Sequence, residues 1–315
     1  MTPAPTVPLA DALASGPLVL DGGLSNQLAA QGCDLSDALW SARLLADGPE
    51  QIGRAHAAYV RAGARVLITA SYQATFEGFA ARGIGRGKAA ELLRGSVELA
   101  RGAGEGGEGG EGGEGGEGGG PPPPWVAASV GPYGAMLADG SEYRGRYGVS
   151  VAELERFHRP RVEALAEAAP DVLALETVPD VDEAEALLRA VEGCGVPVWL
   201  SYSVAGERTR AGQPLREAFV LAAGNDQVIA VGVNCCDPDD AHRAVQLAAE
   251  ATGKPVVVYP NSGERWDARE RAWRGRPTFG PDQVVAWREA GARLIGGCCR
   301  VGPEDIARLA RVLEP

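Results

Sequence analysis

Eight short apolar runs rich in β-branched residues alternate with stretches of helical periodicity, and this alternation constrains the fold more than any other feature of the chain. The runs are 18-LVLDGG-23, 65-RVLITAS-71, 125-WVAASVG-131, 172-VLALET-177, 197-PVWLSY-202, 228-VIAVGVN-234, 255-PVVVYPN-261 and 293-RLIGG-297. Near-continuous apolar strands are buried on both faces, which implies a parallel sheet covered by helices. The stretches between them, such as 151-VAELERFHRPRVEALAEAA-169 and 282-DQVVAWREAGA-292, place apolar residues at helical spacing. Several open on Pro, Asp or Gly-Pro, as in 178-VPDVDEAEALL-188, 237-DPDDAHRAV-245 and 302-GPEDIARLARVL-313; these are N-cap and first-turn signals. Eight strand–helix units predict an α/β protein, a single-domain (β/α)8 TIM barrel with its mouth at the C-terminal ends of the strands. A doubly wound open sheet is the rival. It would carry a glycine-rich dinucleotide turn after the first strand, and 20-LDGGLSNQ-27 lacks that spacing.

One segment breaks the alternation. Residues 102–124, GAGEGGEGGEGGEGGEGGGPPPP, fall between the helical stretch 88-KAAELLRGSVELA-100 and the third strand. A run of this composition buries almost no apolar surface and does not offset its conformational entropy, so it is expected to be a disordered insertion. The 315 residues are long for one core but suit a barrel with an insertion, so a single domain is expected over 1–315.

The polar residues gather at the strand ends. Asp21 ends the first run, Thr69 and Ser71 the second, Glu176 the fourth, Asn234 and Cys235 the sixth, Asn261 the seventh, and Cys298 with Cys299 the eighth. In a barrel all of them project into one mouth. Three thiolates meeting there suit a zinc ion, which in catalytic sites keeps three protein ligands and one open position. Adjacent cysteines on a regular strand point to opposite faces, so one of Cys235 and Cys236 is expected to face away. Gly296 and Gly297 before the Cys298–Cys299 doublet, with Gly302-Pro303 beyond it, allow the irregular backbone that would let both face inward. Packing as small buried hydrophobes, or redox pairing, is the alternative reading of the doublets.

Glu176 closes a buried apolar strand, where a carboxylate is costly without a cation or donors to meet it. Asp21 alone reads as a turn residue in Asp-Gly-Gly. Thr69, Ser71, Tyr72 and Gln73 read equally as loop polars or as site groups. The candidate substrate-binding set is Asp21, Thr69, Ser71, Glu176 and Asn234. The three histidines, His56, His158 and His242, all fall on helical stretches, which leaves few candidates for histidine acid–base catalysis or for a zinc barrel hydrolase.

A net charge of −12 argues against nucleic-acid or anionic-membrane partners. The N-terminal stretch has no basic region followed by a long apolar one, and no apolar run approaches the ~20 residues that cross a bilayer. A cytoplasmic, reducing setting is therefore expected, with thiols free, metal-bound or catalytic; Cys33 and Cys194 stand alone.

The segments 21-DGGLSNQL-28, 68-ITASYQAT-75, 175-LETVPD-180, 232-GVNCC-236, 259-YPNSGERWD-267 and 296-GGCCR-300 resemble the homocysteine S-methyltransferases, in particular the single-domain members that use S-methylmethionine. The resemblance covers almost the whole chain apart from the Gly-Glu run. It implies a barrel that binds one zinc ion through Cys235, Cys298 and Cys299, with Cys236 outside the ligand set. It also implies that Asp21 and Glu176 hold the amino group of L-homocysteine. The expected reaction moves a methyl group from a sulfonium donor to the homocysteine thiolate. S-methylmethionine is favoured as donor. S-adenosylmethionine, betaine, and selenocysteine as acceptor stay open, and oligomeric state is not constrained.

Overall fold

The computed structural model describes residues 5–37, 39–104, 122–267 and 272–314. Most of the expected insertion, residues 105–121, therefore lies outside the described residues. Eight strands form one sheet: β1 (Leu18–Val19), β2 (Val66–Ile68), β3 (Trp125–Val130), β4 (Val172–Val178), β5 (Val198–Tyr202), β6 (Val228–Asn234), β7 (Val256–Tyr259) and β8 (Ala292–Ile295). The principal helices behind them are α1 (Pro49–Arg61), α2 (Arg86–Gly102), α3 (Val151–Ala166), α4 (Val181–Val191), α5 (Leu215–Val220), α6 (Pro238–Thr252), α7 (Pro281–Glu289) and α8 (Pro303–Leu313). Neighbours run parallel in the order β1-β8-β7-β6-β5-β4-β3-β2. A parallel bridge between Leu20 and Val66 joins the two ends into a (β/α)8 barrel.

Side-chain alternation along each strand sorts residues between two cores. Val126, Ala128, Val130, Leu173, Leu175, Val198 and Leu200 face the helices and merge with their apolar stripes. Trp125, Ala127, Val172, Ala174, Trp199, Ala230, Val257 and Leu294 fill the barrel itself, where large rings face small side chains. Gly232 belongs to this inner face because nothing larger fits: a Cβ there would lie 1.7 Å from the Val257 carbonyl oxygen. The helix Leu9–Ser15 closes the N-terminal end of the barrel. It adds Leu9 and Leu13 to the inner cluster, and Trp125 Nε1 donates to Val7 O at 2.9 Å.

Continuing the inner face by steps of two toward the C-terminal ends gives Ser129, Glu176, Ser201, Asn234 and Tyr259, all buried. The apolar barrel is thus capped by a polar layer on which the mouth stands. Of the histidines, His56 and His158 are fully buried between helix and wall, and His242 lies on α6. Among the described residues no helix is long and apolar enough to cross a membrane.

Candidate metal and substrate site

The chain leaves β6 through a left-handed residue, Cys235, at φ +48°. That turn separates the doublet: Cys235 lines the mouth, whereas Cys236 is fully buried in the layer between wall and helices. Burial pushes the Cys236 thiol up to about 12, so it stays protonated. Beyond β8 the chain turns at Gly296-Gly297, where a Cβ on Gly297 would lie 2.2 Å from Val301 Cγ1. The irregular segment is pinned by Cys298 N donating to Pro260 O (2.7 Å) and Cys299 N to Asn261 Oδ1 (3.1 Å). Both cysteines of this doublet consequently line the cleft.

The sulfurs of Cys235, Cys298 and Cys299 all lie within 4.8 Å of one another. Cys235 and Cys298, separated by 63 residues, have their Cα atoms 5.6 Å apart and their sulfurs in disulfide contact, the pairing that the sequence reading kept as the alternative to metal ligation. Cys33, Cys194, Cys236 and Cys299 are free. A tetrahedral thiolate site with metal–sulfur bonds of about 2.3 Å holds its sulfurs roughly 3.8 Å apart, so the reduced trio fits a soft cation without moving the strands. The chemistry of the set agrees. Burial raises the Cys299 thiol to about 11, with the Glu142 charge adding to the effect. No Lys or Arg lines the cleft among the described residues, so a metal cation would supply the positive charge that stabilises the thiolates.

Two buried carboxyl groups stand at this end of the barrel, Glu176 in the cleft lining with the sulfurs and Asp21 close enough to feel its charge. Asp21 Oδ2 accepts from Ile68 N at 2.9 Å, closing the β1–β2 seam, while its Oδ1 is buried without a hydrogen-bond partner. Glu176 Oε1 accepts from Ser129 Oγ, and Tyr259, which takes a hydrogen bond from Trp199 Nε1 at 3.1 Å, also donates to Glu176. Burial raises Glu176 to about 7, against the pull of these donors. Burial and the Glu176 charge together hold Asp21 well above the usual carboxylate range. Two acids that each resist ionisation make a site for a cation.

Glu176 reaches this position through a distortion of β4. Its pairing with β5 shifts register between Leu175 and Val178, and Thr177 sits at φ +58°, a costly conformation for a β-branched residue. Asn234 clamps it there: Thr177 N donates to Asn234 Oδ1 (2.7 Å), and Asn234 Nδ2 donates to Thr177 Oγ1 (2.7 Å). Ser201 Oγ donates to the same Oδ1 at 2.8 Å. The Asn234 amide is therefore committed to holding β4, β5 and β6 in register, and it does not line the cleft. Ser71 is also absent from the lining: its Oγ pairs with Thr69 Oγ1 (2.7 Å) and donates to Ser129 O (2.8 Å). Thr69 and Glu176 do line it; Asp21 does not, although the next two residues, Gly22 and Gly23, do.

The cleft encloses ≈ 110 Å³. Tyr72, read from sequence as a loop polar or a site group, lines the cleft, and sequence reasoning passed over several further walls: Trp40, Glu142, Tyr143, Thr177 and Tyr259. Tyr259 was within reach, because it continues the inward-facing alternation from Val257. Glu142 and Tyr143 sit in an ordinary polar loop with no local signal.

The sequence profile of the family described as homocysteine S-methyltransferase matches residues 18–313. The homocysteine S-methyltransferase of Escherichia coli strain K12 is 46% identical over 297 residues, spanning 93% of this chain and 94% of that protein. Homocysteine S-methyltransferase YbgG of Bacillus subtilis strain 168 is 43% identical over 298 residues, spanning 93% of each. The crystal structure of the homocysteine methyltransferase MmuM from Escherichia coli in its metallated form superposes with a TM-score of 0.80 at 44% identity, over 94% of this chain and 96% of that one. Its oxidized form also superposes with a TM-score of 0.80.

Proposed function

Because the chain belongs to the homocysteine S-methyltransferase family, we propose that it transfers a methyl group from the sulfonium S-methylmethionine to homocysteine held at a zinc ion by Cys235, Cys298 and Cys299. Methyl transfer to homocysteine is the activity of the family; the donor, the metal and the residue roles are our reading. The observation that carries it is the convergence of three sulfurs from two distant segments beside two buried carboxyl groups that lack a cation.

Bound zinc would supply one open position at which the homocysteine sulfur is kept as a thiolate near neutral pH. The protein does the rest. Asp21 and Glu176 meet the amino group of homocysteine, whose positive charge draws both acids into their ionised forms. The Asn234 clamp on Thr177 holds Glu176 on the inner face. Methyl transfer forms a carbon–sulfur bond to homocysteine and breaks one to the sulfonium, whose electron pair leaves with a neutral thioether. No proton is needed by the leaving group, and among the described residues no histidine lines the cleft. Charge cancels along this path, so the cleft acts mainly by positioning.

Cys235 and Cys298 must both be reduced thiols to ligate, so we read the working enzyme as one of a reducing compartment, the cytoplasm. The test is an assay of reduced protein with homocysteine and, in turn, S-methylmethionine, S-adenosylmethionine and betaine, with and without a zinc chelator. We expect turnover with S-methylmethionine, about one zinc per chain, and loss of both zinc and turnover in Cys298→Ser. Full activity in metal-free protein would end this reading.

A further inference from the structure

The loop between β3 and α3 carries a carboxylate over the same cleft that none of these roles uses. Glu142 lies on the single turn Ser141–Tyr143. Gly134 packs directly beneath it, since a Cβ there would lie 2.5 Å from Glu142 N, and Ser141 N donates to Asp139 Oδ1 at 3.0 Å. The next residue, Tyr143, lines the cleft with Cys299, and the Arg210 guanidinium lies over its ring at 5.5 Å. Glu142 is thus carried by a built turn beside the sulfur cluster. Its Oε2 is buried without a hydrogen-bond partner. Burial and the nearby Asp139 charge raise its carboxyl, which matches a desolvated acid awaiting a cation.

The reaction brings more cations than Asp21 and Glu176 meet. S-methylmethionine carries a sulfonium and an α-ammonium group, and no Lys or Arg lines the cleft among the described residues to compete for Glu142. The two donor charges differ in fate. The sulfonium charge vanishes during transfer, so a carboxylate gripping it would stabilise the ground state and slow the reaction. The ammonium keeps its charge throughout, and holding it strengthens donor binding without cost to the chemical step. We infer that Glu142 binds the α-ammonium group of the methyl donor, with the Tyr143 and Tyr72 rings walling the donor's carbon chain. This assignment rests on the sulfonium-donor reading above.

The test is steady-state kinetics of the zinc-loaded wild type, Glu142→Gln and Glu142→Asp, varying S-methylmethionine and homocysteine separately and measuring zinc content. Losing a hydrogen bond to a charged group raises the donor KM by about tenfold or more in Glu142→Gln, with partial recovery in Glu142→Asp. The kcat, the homocysteine KM and the zinc content stay within about threefold of wild type, as for loss of uniform binding. An unchanged donor KM, or a loss confined to homocysteine KM or zinc, overturns the inference. So does a kcat that rises along with the donor KM, which would put the carboxylate against the sulfonium. A wild type that never uses S-methylmethionine sinks the donor reading and this inference with it; wild-type turnover with an insensitive Glu142→Gln sinks this inference alone.

Discussion

Asp21 and Glu176 are both buried, near enough for their charges to interact, with no ion pair to either among the described residues. Behind the same wall, between α3 and α4, another buried acid is served differently. Glu183 Oε1 accepts from Tyr133 N (2.5 Å) and faces His158 Nε2 at 3.0 Å, and His158 Nδ1 faces Arg161 Nη2 at 2.7 Å. Arginine only donates, so Nδ1 accepts and Nε2–H donates to Glu183. Burial and the adjacent guanidinium keep that imidazole neutral, well below its ordinary value. Arg161 also donates to Gly131 O, tying the set to the loop that carries Glu142. The two regions accept the same desolvation cost. Behind the wall a guanidinium of the protein's own acts on Glu183 through the imidazole and pulls its carboxyl down, although burial still raises it to about 7; at the mouth no Lys or Arg lines the cleft among the described residues. A buried acid without an internal counter-charge is thus the better marker of function, and one with it belongs to the fold.

Three substitutions test that contrast. The largest effect is expected from Arg161→Ala, which removes the donor to the His158 ring and the Gly131 carbonyl and the positive charge nearest Glu183. Breaking a buried charge set costs about 3–5 kcal/mol, read as a fall in the denaturant midpoint at constant slope. A loss below ~1 kcal/mol would mean that the set is not a structural keystone and the contrast is false.

Glu176→Gln should do the opposite. Its carboxyl is raised from 4.5 to about 7 in the folded protein, so the stability it contributes is present in full below pH 4.5 and is lost as the pH rises through 7. In metal-free, reduced protein the glutamine variant should therefore match wild type near pH 4.5 and exceed it above pH 7, by up to about 3 kcal/mol. The same variant should bind zinc but raise the homocysteine KM by about a hundredfold, the scale of a lost buried ion pair. Reduced stability at pH 8, or an unchanged homocysteine KM, would assign Glu176 to the fold instead.

The smallest effect separates the halves of one doublet. Cys236→Ala removes a buried thiol from the wall layer and should cost about 1 kcal/mol, with zinc content and kcat unchanged. Loss of zinc in that variant would bring Cys236 into the site.

Much of this was legible beforehand because the signals are local. β6 spans 228–234 from end to end as expected, since six apolar or small residues run there without interruption up to Asn234. β1 and β8 are shorter than their apolar runs, because residues 21–23 and 296–297 leave the ladder to build the mouth. Glu176 and the cysteines stood out as polar groups ending buried runs. Asn234 stood out for the same reason, yet its amide is spent on Thr177. Ser129, Thr177 and Glu142 carry no such mark, since what distinguishes them is a partner, or the lack of one, on another strand or loop.

The chain alone determined the alternation of strands and helices, the face each strand turns inward, and the presence of acids and thiols where the strands end. Those follow from periodicity and burial, which neighbouring residues impose on one another. Only closure of the barrel decided which sulfurs meet, which cysteine of the first doublet turns away, and which acids are left without a counter-charge. Such pairings depend on angular position around the cylinder, and that is set by the register of all eight strands together.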